Sequence, residues 1–280
     1  MPKLRTIHFK EHEHLTDIFF PVEVQNSAEF QGMKFASNIS HCVVAPTLNK
    51  VLGYRTDDYR LALNEEFIMP VYERLVGIFG DNIRTNVKSF DDRQFYVELA
   101  VESSYFEITK DDAVCPMITL QNSYDGGIKQ SYALSYYRKI CSNGLHGFSE
   151  EYSVKVRHSK GNQEIDFEPL FKDLEKVETR IDVFKELTER RLLPDELDTL
   201  VSYVNQANHL KFPKSNLDTV AEIATNEAQE LAVELNPWIA YNAFNNVLNH
   251  GKSRLFPQDK VKIDKNILDT VREFSKTLVH

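Results

Sequence analysis

A chain of 280 residues, 42% hydrophobic and 27% charged, can bury a full core, which excludes a disordered or fibrous protein. A formal net charge of -9 excludes a protein that coats nucleic acid with its whole surface, but not one with a local basic patch. Cys42, Cys115 and Cys141 are too scattered for a disulfide framework or metal-ligand spacing, and no run suits a signal peptide or membrane span; the expectation is a cytoplasmic protein away from the membrane.

His8, His12 and His14 lie close together near the start, but no second ligand cluster accompanies them, so a mobile polar segment is expected there and no metal. Residues 40 to 62 read as two strands around a turn at Leu48-Asn49-Lys50. Asn64 is expected to cap a helix that runs to about Phe79 and stops at Gly80, with Val71, Leu75, Val76 and Phe79 on its core face. From Ile83 the period changes to two. Ile83, Thr85 and Val87 alternate with Arg84, Asn86 and Lys88, and Phe95, Val97, Leu99 and Val101 with Tyr96, Glu98 and Ala100. Asp91-Asp92 supplies the turn between these strands.

Strands at 116 to 122, 129 to 141 and 151 to 159 follow, the first two joined by the Asp125-Gly126-Gly127 turn. After Gly161 the pattern is helical: 166 to 192, 195 to 209, 217 to 235, 237 to 250 and 264 to 278, with Pro194, Pro213, Pro237 and Pro257 at starts or breaks. The expected fold is α+β, an antiparallel meander with a packed helix over residues 1–162, then a helical region over 163–280.

Charge divides along the chain. Residues 128 to 160 hold six Lys/Arg against two Glu, while residues 161 to 250 hold eight against seventeen acidic residues. On the strand from 131 to 141, Tyr132, Leu134, Tyr136 and Ile140 are expected to face the core, and Tyr137, Lys139 and Cys141 to face outward. Lys155 and Arg157 are expected outward on the last strand, as are Arg84 and Lys88 on the first. Together they would make a basic sheet face whose cations hold phosphates while Tyr137 stacks on bases. A solvated sheet face would carry the same residues.

Cys141-Ser142-Asn143-Gly144, with His146 close by, lacks the orienting third group that cysteine catalysis needs, and reads as a strand end and turn. No glycine loop for phosphate, no zinc-protease helix and no serine elbow occurs, so neither catalysis nor a cofactor is expected. In NPWIAYNAFNNVLNH, Asn242, Asn245, Asn246 and Asn249 form an uncharged helix face, where Glu or Lys would be better helix formers. It reads as an interface or as a face covered by the chain itself.

NSYDGG, SYYRKICSNGL and VKVRHSKG, in that order, resemble a phage- and plasmid-like family known as the nine-hundred-and-thirty-second domain of unknown function. Asn122, Ser123, Asp125 and Gly126 match its first motif, Arg138, Cys141 and Asn143 its second, and Arg157 and His158 its third. Upstream, VLGYRTDDYRLALNEE matches the family's strand and helix; Tyr124 stands where the family usually has His. The resemblance implies a mobile-element protein. Its element order is similar to that of phage single-strand annealing proteins, which implies a homo-oligomer that binds single-stranded DNA. The competing reading is an acidic factor that binds a host protein through its helical half.

Overall fold

The computed structural model describes residues 9–26, 39–140, 143–147, 153–159, 161, 165–207, 214–250 and 255–278. In chain order come β1 (Lys10–His12), β2 (Glu23–Asn26), β3 (His41–Ala45), β4 (Lys50–Arg55) and α1 (Asn64–Phe79). Seven strands follow: β5 (Ile83–Phe90), β6 (Gln94–Val101), β7 (Phe106–Thr109), β8 (Asp112–Ser123), β9 (Gln130–Arg138), β10 (Asn143–Leu145) and β11 (Ser153–Val156). The helices α2 (Glu168–Leu174), α3 (Val177–Glu186), α4 (Pro194–Ala207), α5 (Lys214–Glu230), α6 (Pro237–His250) and α7 (Pro257–Ser275) complete the order. The fold is α+β, with the helices concentrated in the C-terminal half.

The chain divides into two compact units that interleave along the sequence. The first takes residues 1–103, 118–133 and 153–170, and the second takes 104–117, 134–152 and 171–280. This division differs from a single cut at residue 162, because parts of β8 and β9 group with the helices.

In the first unit the strand order is β1-β5-β6-β8-β9, with β11 paired to β9, and β2-β3-β4 form a separate three-stranded sheet. The β5–β6 hairpin closes on Asp91 and Asp92, both left-handed (φ 54 and 53), a conformation that Asp tolerates better than most residues and that suits a tight hairpin. Lys50 Nζ ties both carboxylates down, at 2.7 Å from Asp91 Oδ1 and 3.1 Å from Asp92 Oδ2. Helix α1 buries Phe67, Ile68, Val71 and Leu75, each contributing roughly 1.5–3 kcal/mol by leaving water. Asn64 is not its cap. It is the first helical residue, and its amide donates to Ile18 O at 3.0 Å. The segment around His12 is a strand rather than a mobile tail: β1 pairs with β5, and His12 Nε2 lies 2.8 Å from Ser89 Oγ. His8 lies outside the described residues.

The second unit pairs β7 with β8 and β10 with β9. The expected long helix from 166 is two, α2 and α3, and α7 begins at Pro257 rather than at 264. Arg138, fully buried, donates from Nε to Asp112 Oδ1 at 2.8 Å and lies 2.7 Å from Glu227 Oε1. Trp238 Nε1 donates to Asp112 Oδ2 at 2.7 Å. A charge this deep needs its partners, so this network fixes how β8, β9, α5 and α6 pack.

Nearby, Asp264 accepts from the His146 N–H and from the Asn245 amide. Burial pushes its carboxyl up to about 7, because these donors only partly offset the lost water. Among the described residues no helix is long and apolar enough to cross a membrane.

Candidate functional site

The turn after β8 is built by its own side chains. Ser123 Oγ donates to Ile128 O at 2.7 Å, and the Gly127 N–H donates to Asp125 Oδ1 at 2.7 Å. Gly126 is left-handed (φ 59), and a Cβ there would lie 3.1 Å from the Arg55 guanidinium. The turn therefore needs glycine both for its backbone and for the close approach of Arg55.

Two tyrosines anchor this turn to the rest of the unit. Tyr124, 1% exposed, accepts from the Asn64 N–H through its hydroxyl at 3.1 Å and packs its ring against Phe95. Asn122 donates to Ala62 O at 2.8 Å and to Asn64 Oδ1 at 2.9 Å. Tyr59 Oη donates toward Tyr124 O at 3.3 Å, and burial pushes both phenols above their usual range. On its other side the Tyr59 ring stacks on His158, centroids 5.8 Å apart.

The outcome is a cleft with cations around it. Arg55 lies with Cζ 5.6 Å from the Tyr59 ring centroid, held by a 3.0 Å bond from Nη1 to Tyr54 O; its buried Nε has no hydrogen-bond partner. The buried Nε2 of His158 has none either. Burial holds the His158 imidazole below its usual pKa, with Arg55 acting in the same direction, so it is neutral at neutral pH.

Two cavities meet at Arg157 and His158. One, of about 430 Å³, is walled by Arg55, Tyr59, Gly126, Gly127 and Lys129. The other, of about 550 Å³, is walled by Arg60, Leu61, Leu63, Phe67, Gln130 and Phe167. Among the described lining residues, four are cationic, Arg55, Arg60, Lys129 and Arg157, and two are carboxylates, Asp58 and Glu66. The surplus favours an anionic ligand.

Of the six residues expected on one basic face, Lys155 and Arg157 are exposed on and just after β11. Arg84 and Lys88 lie on β5, with β6, β8 and β9 between them and β11. Each stands near a carboxylate, Arg84 at 4.0 Å from Glu102 and Lys88 at 3.6 Å from Glu11. Lys139 and Tyr137 belong to the second unit.

Tyr137 is only 6% exposed, so it has no open ring face for a base. The reason is that all of residues 131–138 are buried; in a pleated strand that means both faces are covered. Ile140, expected in the core, is 43% exposed, and Cys141 lies outside the described residues.

The asparagine face of α6 is likewise no open interface. Asn242 and Asn245 are fully buried, Asn242 donating to Trp238 O at 2.8 Å and Asn245 to Asp264. Asn249, half-buried, donates to Gly144 O at 3.3 Å and to Asn245 Oδ1 at 2.8 Å; Asn246 is half-buried. Amides stand there because a buried face takes polar groups only if they find partners within it.

Sequence reasoning missed Arg55, Arg60 and Lys129. The signal was the stretch YRTDDYRLAL, whose paired Asp57-Asp58 disguise two cations aimed at one cleft. Ser40, His41 and Asp57 also cluster, but Ser40 and Asp57 both meet the same His41 nitrogen, Nδ1, at 2.8 and 3.1 Å. A serine triad needs the two partners on opposite ring nitrogens, so this is not one.

The first and third sequence motifs converge here: Asn122, Ser123, Asp125 and Gly126 build and anchor the turn, and Arg157 and His158 join the cavities. Arg138 of the second motif is buried in the other unit. Residues 51–273 match the model of a protein family described as Domain of unknown function (DUF932). No curated protein and no solved structure matches the chain.

Proposed function

The chain belongs to the DUF932 family, and we propose that it binds single-stranded nucleic acid in the cationic cleft of its first unit. The observation that carries this reading is the pair of adjoining cavities edged by Arg55, Arg60, Lys129 and Arg157 within a chain of net charge -9. Cations concentrated against the overall charge favour a phosphate-bearing ligand. Lys155, exposed on the strand that leads to Arg157, extends the positive edge beyond the cavities.

A single strand suits the cleft better than a duplex, because cavities of about 430 and 550 Å³ have room for an unstacked nucleotide but not for a stretch of paired helix. The role is that of a binding protein rather than a catalyst, acting in the cytoplasm. The resemblance to phage- and plasmid-borne chains supports a place in recombination, with strand annealing by a homo-oligomer as its most specific form.

Fluorescence anisotropy with a labelled single strand and a duplex of equal length tests the reading. The single strand should bind more tightly at low salt. Lys129→Ala and Arg157→Ala should weaken it, and Arg84→Ala with Lys88→Ala should not. If the wild type binds no single strand at low salt, the reading fails. The acidic region from 161 to 250, with seventeen acidic against eight basic residues, is then the better candidate surface, for a host protein partner.

A further inference from the structure

We infer that the two cavities are successive positions along one strand, with Arg157 on the divide between them, so that the ligand is an oligonucleotide long enough to fill both and not a single nucleotide. This deepens the strand-binding reading above and rests on it.

The divide is built from backbone. Tyr59 and Ser159 form an antiparallel bridge, and the Arg60 N–H donates to His158 O at 3.3 Å. Neighbours in sequence fall on either side of it. Tyr59 and Lys129 line the smaller cavity, while Arg60 and Gln130, the residues that follow them, line the larger. A partition tied through the main chain keeps the two spaces distinct, so a ligand that fits one of them does not thereby reach the other.

Charge joins what the backbone divides. Among the described lining residues the smaller cavity has Arg55 and Lys129 against Asp58, and the larger has Arg60 against Glu66. Arg157 lines both cavities and is exposed. Without Arg157 the larger cavity has no positive surplus; with it, both have one. A cation common to two cavities suits a ligand whose negative charge repeats along its length, the property that separates a strand from a mononucleotide. The smaller cavity, with the greater surplus, takes the shortest ligand first. A strand that engages both gains from linked binding, by a factor of about 100 or more over one cavity alone.

The full chain is titrated calorimetrically at low salt with thymidylates of one, two, four and eight nucleotides, each carrying a 5′ phosphate. Affinity should climb by about 100-fold from the mononucleotide to the length that fills both cavities, and rise little beyond it. Arg157→Ala, at an exposed position, should cut that gain to about tenfold or less. Lys129→Ala should weaken all lengths alike, because it acts in the cavity that the shortest ligand already occupies. Glu66→Gln removes the carboxylate of the larger cavity and should increase the gain, a strengthening that a folding defect cannot produce.

If the strands bind but no more tightly than the mononucleotide, the two-position site is overturned and the strand reading survives. The same holds if affinity climbs with length but neither Arg157→Ala nor Glu66→Gln alters the climb, since the added nucleotides then lie outside the larger cavity. If no length binds, or the mononucleotide alone does, the strand reading fails and this inference fails with it.

Discussion

Arg138→Leu should destabilise the second unit by about 3–5 kcal/mol at pH 7, the usual cost of removing one partner from a buried ion network. Arg138 is fully buried between two carboxylates, with Nε 2.8 Å from Asp112 and Nη1 2.7 Å from Glu227. Without it Asp112 keeps the Trp238 N–H, and Glu227 loses the cation that draws its pKa down against the burial that raises it.

Glu227 would then titrate still higher in the folded state, because the burial that raises it would act without the opposing cation. A carboxyl raised in this way destabilises the fold as pH rises above its unfolded value of about 4. The deficit of the variant should therefore be largest at pH 7 and shrink toward pH 4, where Glu227 can hold a proton.

The assay is urea unfolding followed by the fluorescence of Trp238, the chain's one tryptophan, which packs with Arg138 Cζ 5.4 Å from its ring centroid. A loss below about 1 kcal/mol at pH 7, or a deficit that does not change with pH, would refute the assignment of Arg138 as the ion that holds this core together.

Asp264 gives a second pH signature. With its carboxyl near 7 in the fold, the wild type should lose stability between pH 4 and 7, by up to about 4 kcal/mol. Asp264→Asn should lack that slope, and its disadvantage in acid should narrow by pH 8; parallel profiles in a denaturation series would contradict this. Gly126→Ala should cost about 1–2 kcal/mol in thermal stability, because φ 59 disfavours a Cβ, and should weaken strand binding by displacing Arg55. Tyr124→Phe removes the acceptor for the Asn64 N–H and should cost about 1 kcal/mol with strand affinity unchanged. An affinity loss without a stability loss would make Tyr124 a ligand contact instead.

The hairpin from Ile83 to Val101 was legible because its alternation is strict and Asp91-Asp92 has the chemistry for its turn. The helix ending at Gly80 was legible for similar reasons, since its apolar spacing and its stop are local. Strand β9 was not. Alternation assigns one face to solvent, but burial of both faces is a tertiary property, and it removed Tyr137 from the surface. The asparagines of α6 misled in the same way, because an uncharged amide suits a covered site as well as an external interface.

The cleft was half legible. Arg157 could be assigned outward from alternation, but Arg55, Arg60 and Lys129 come from segments that only the folded turn at 124–129 brings to it. Arg84 and Lys88 share the alternation of a surface strand, and three intervening strands separate them from Arg157.

The most direct test of the central claim is the salt dependence of single-strand binding by the wild type and by Lys129→Ala/Arg157→Ala. If the four cations of the cleft each meet a phosphate, log affinity should fall with log salt with a slope of about -3, at about -0.7 per contact. The double variant should lower the magnitude of that slope by about 1.4 while keeping its fold. An unchanged slope in the double variant, or no binding by the wild type at low salt, would contradict the account.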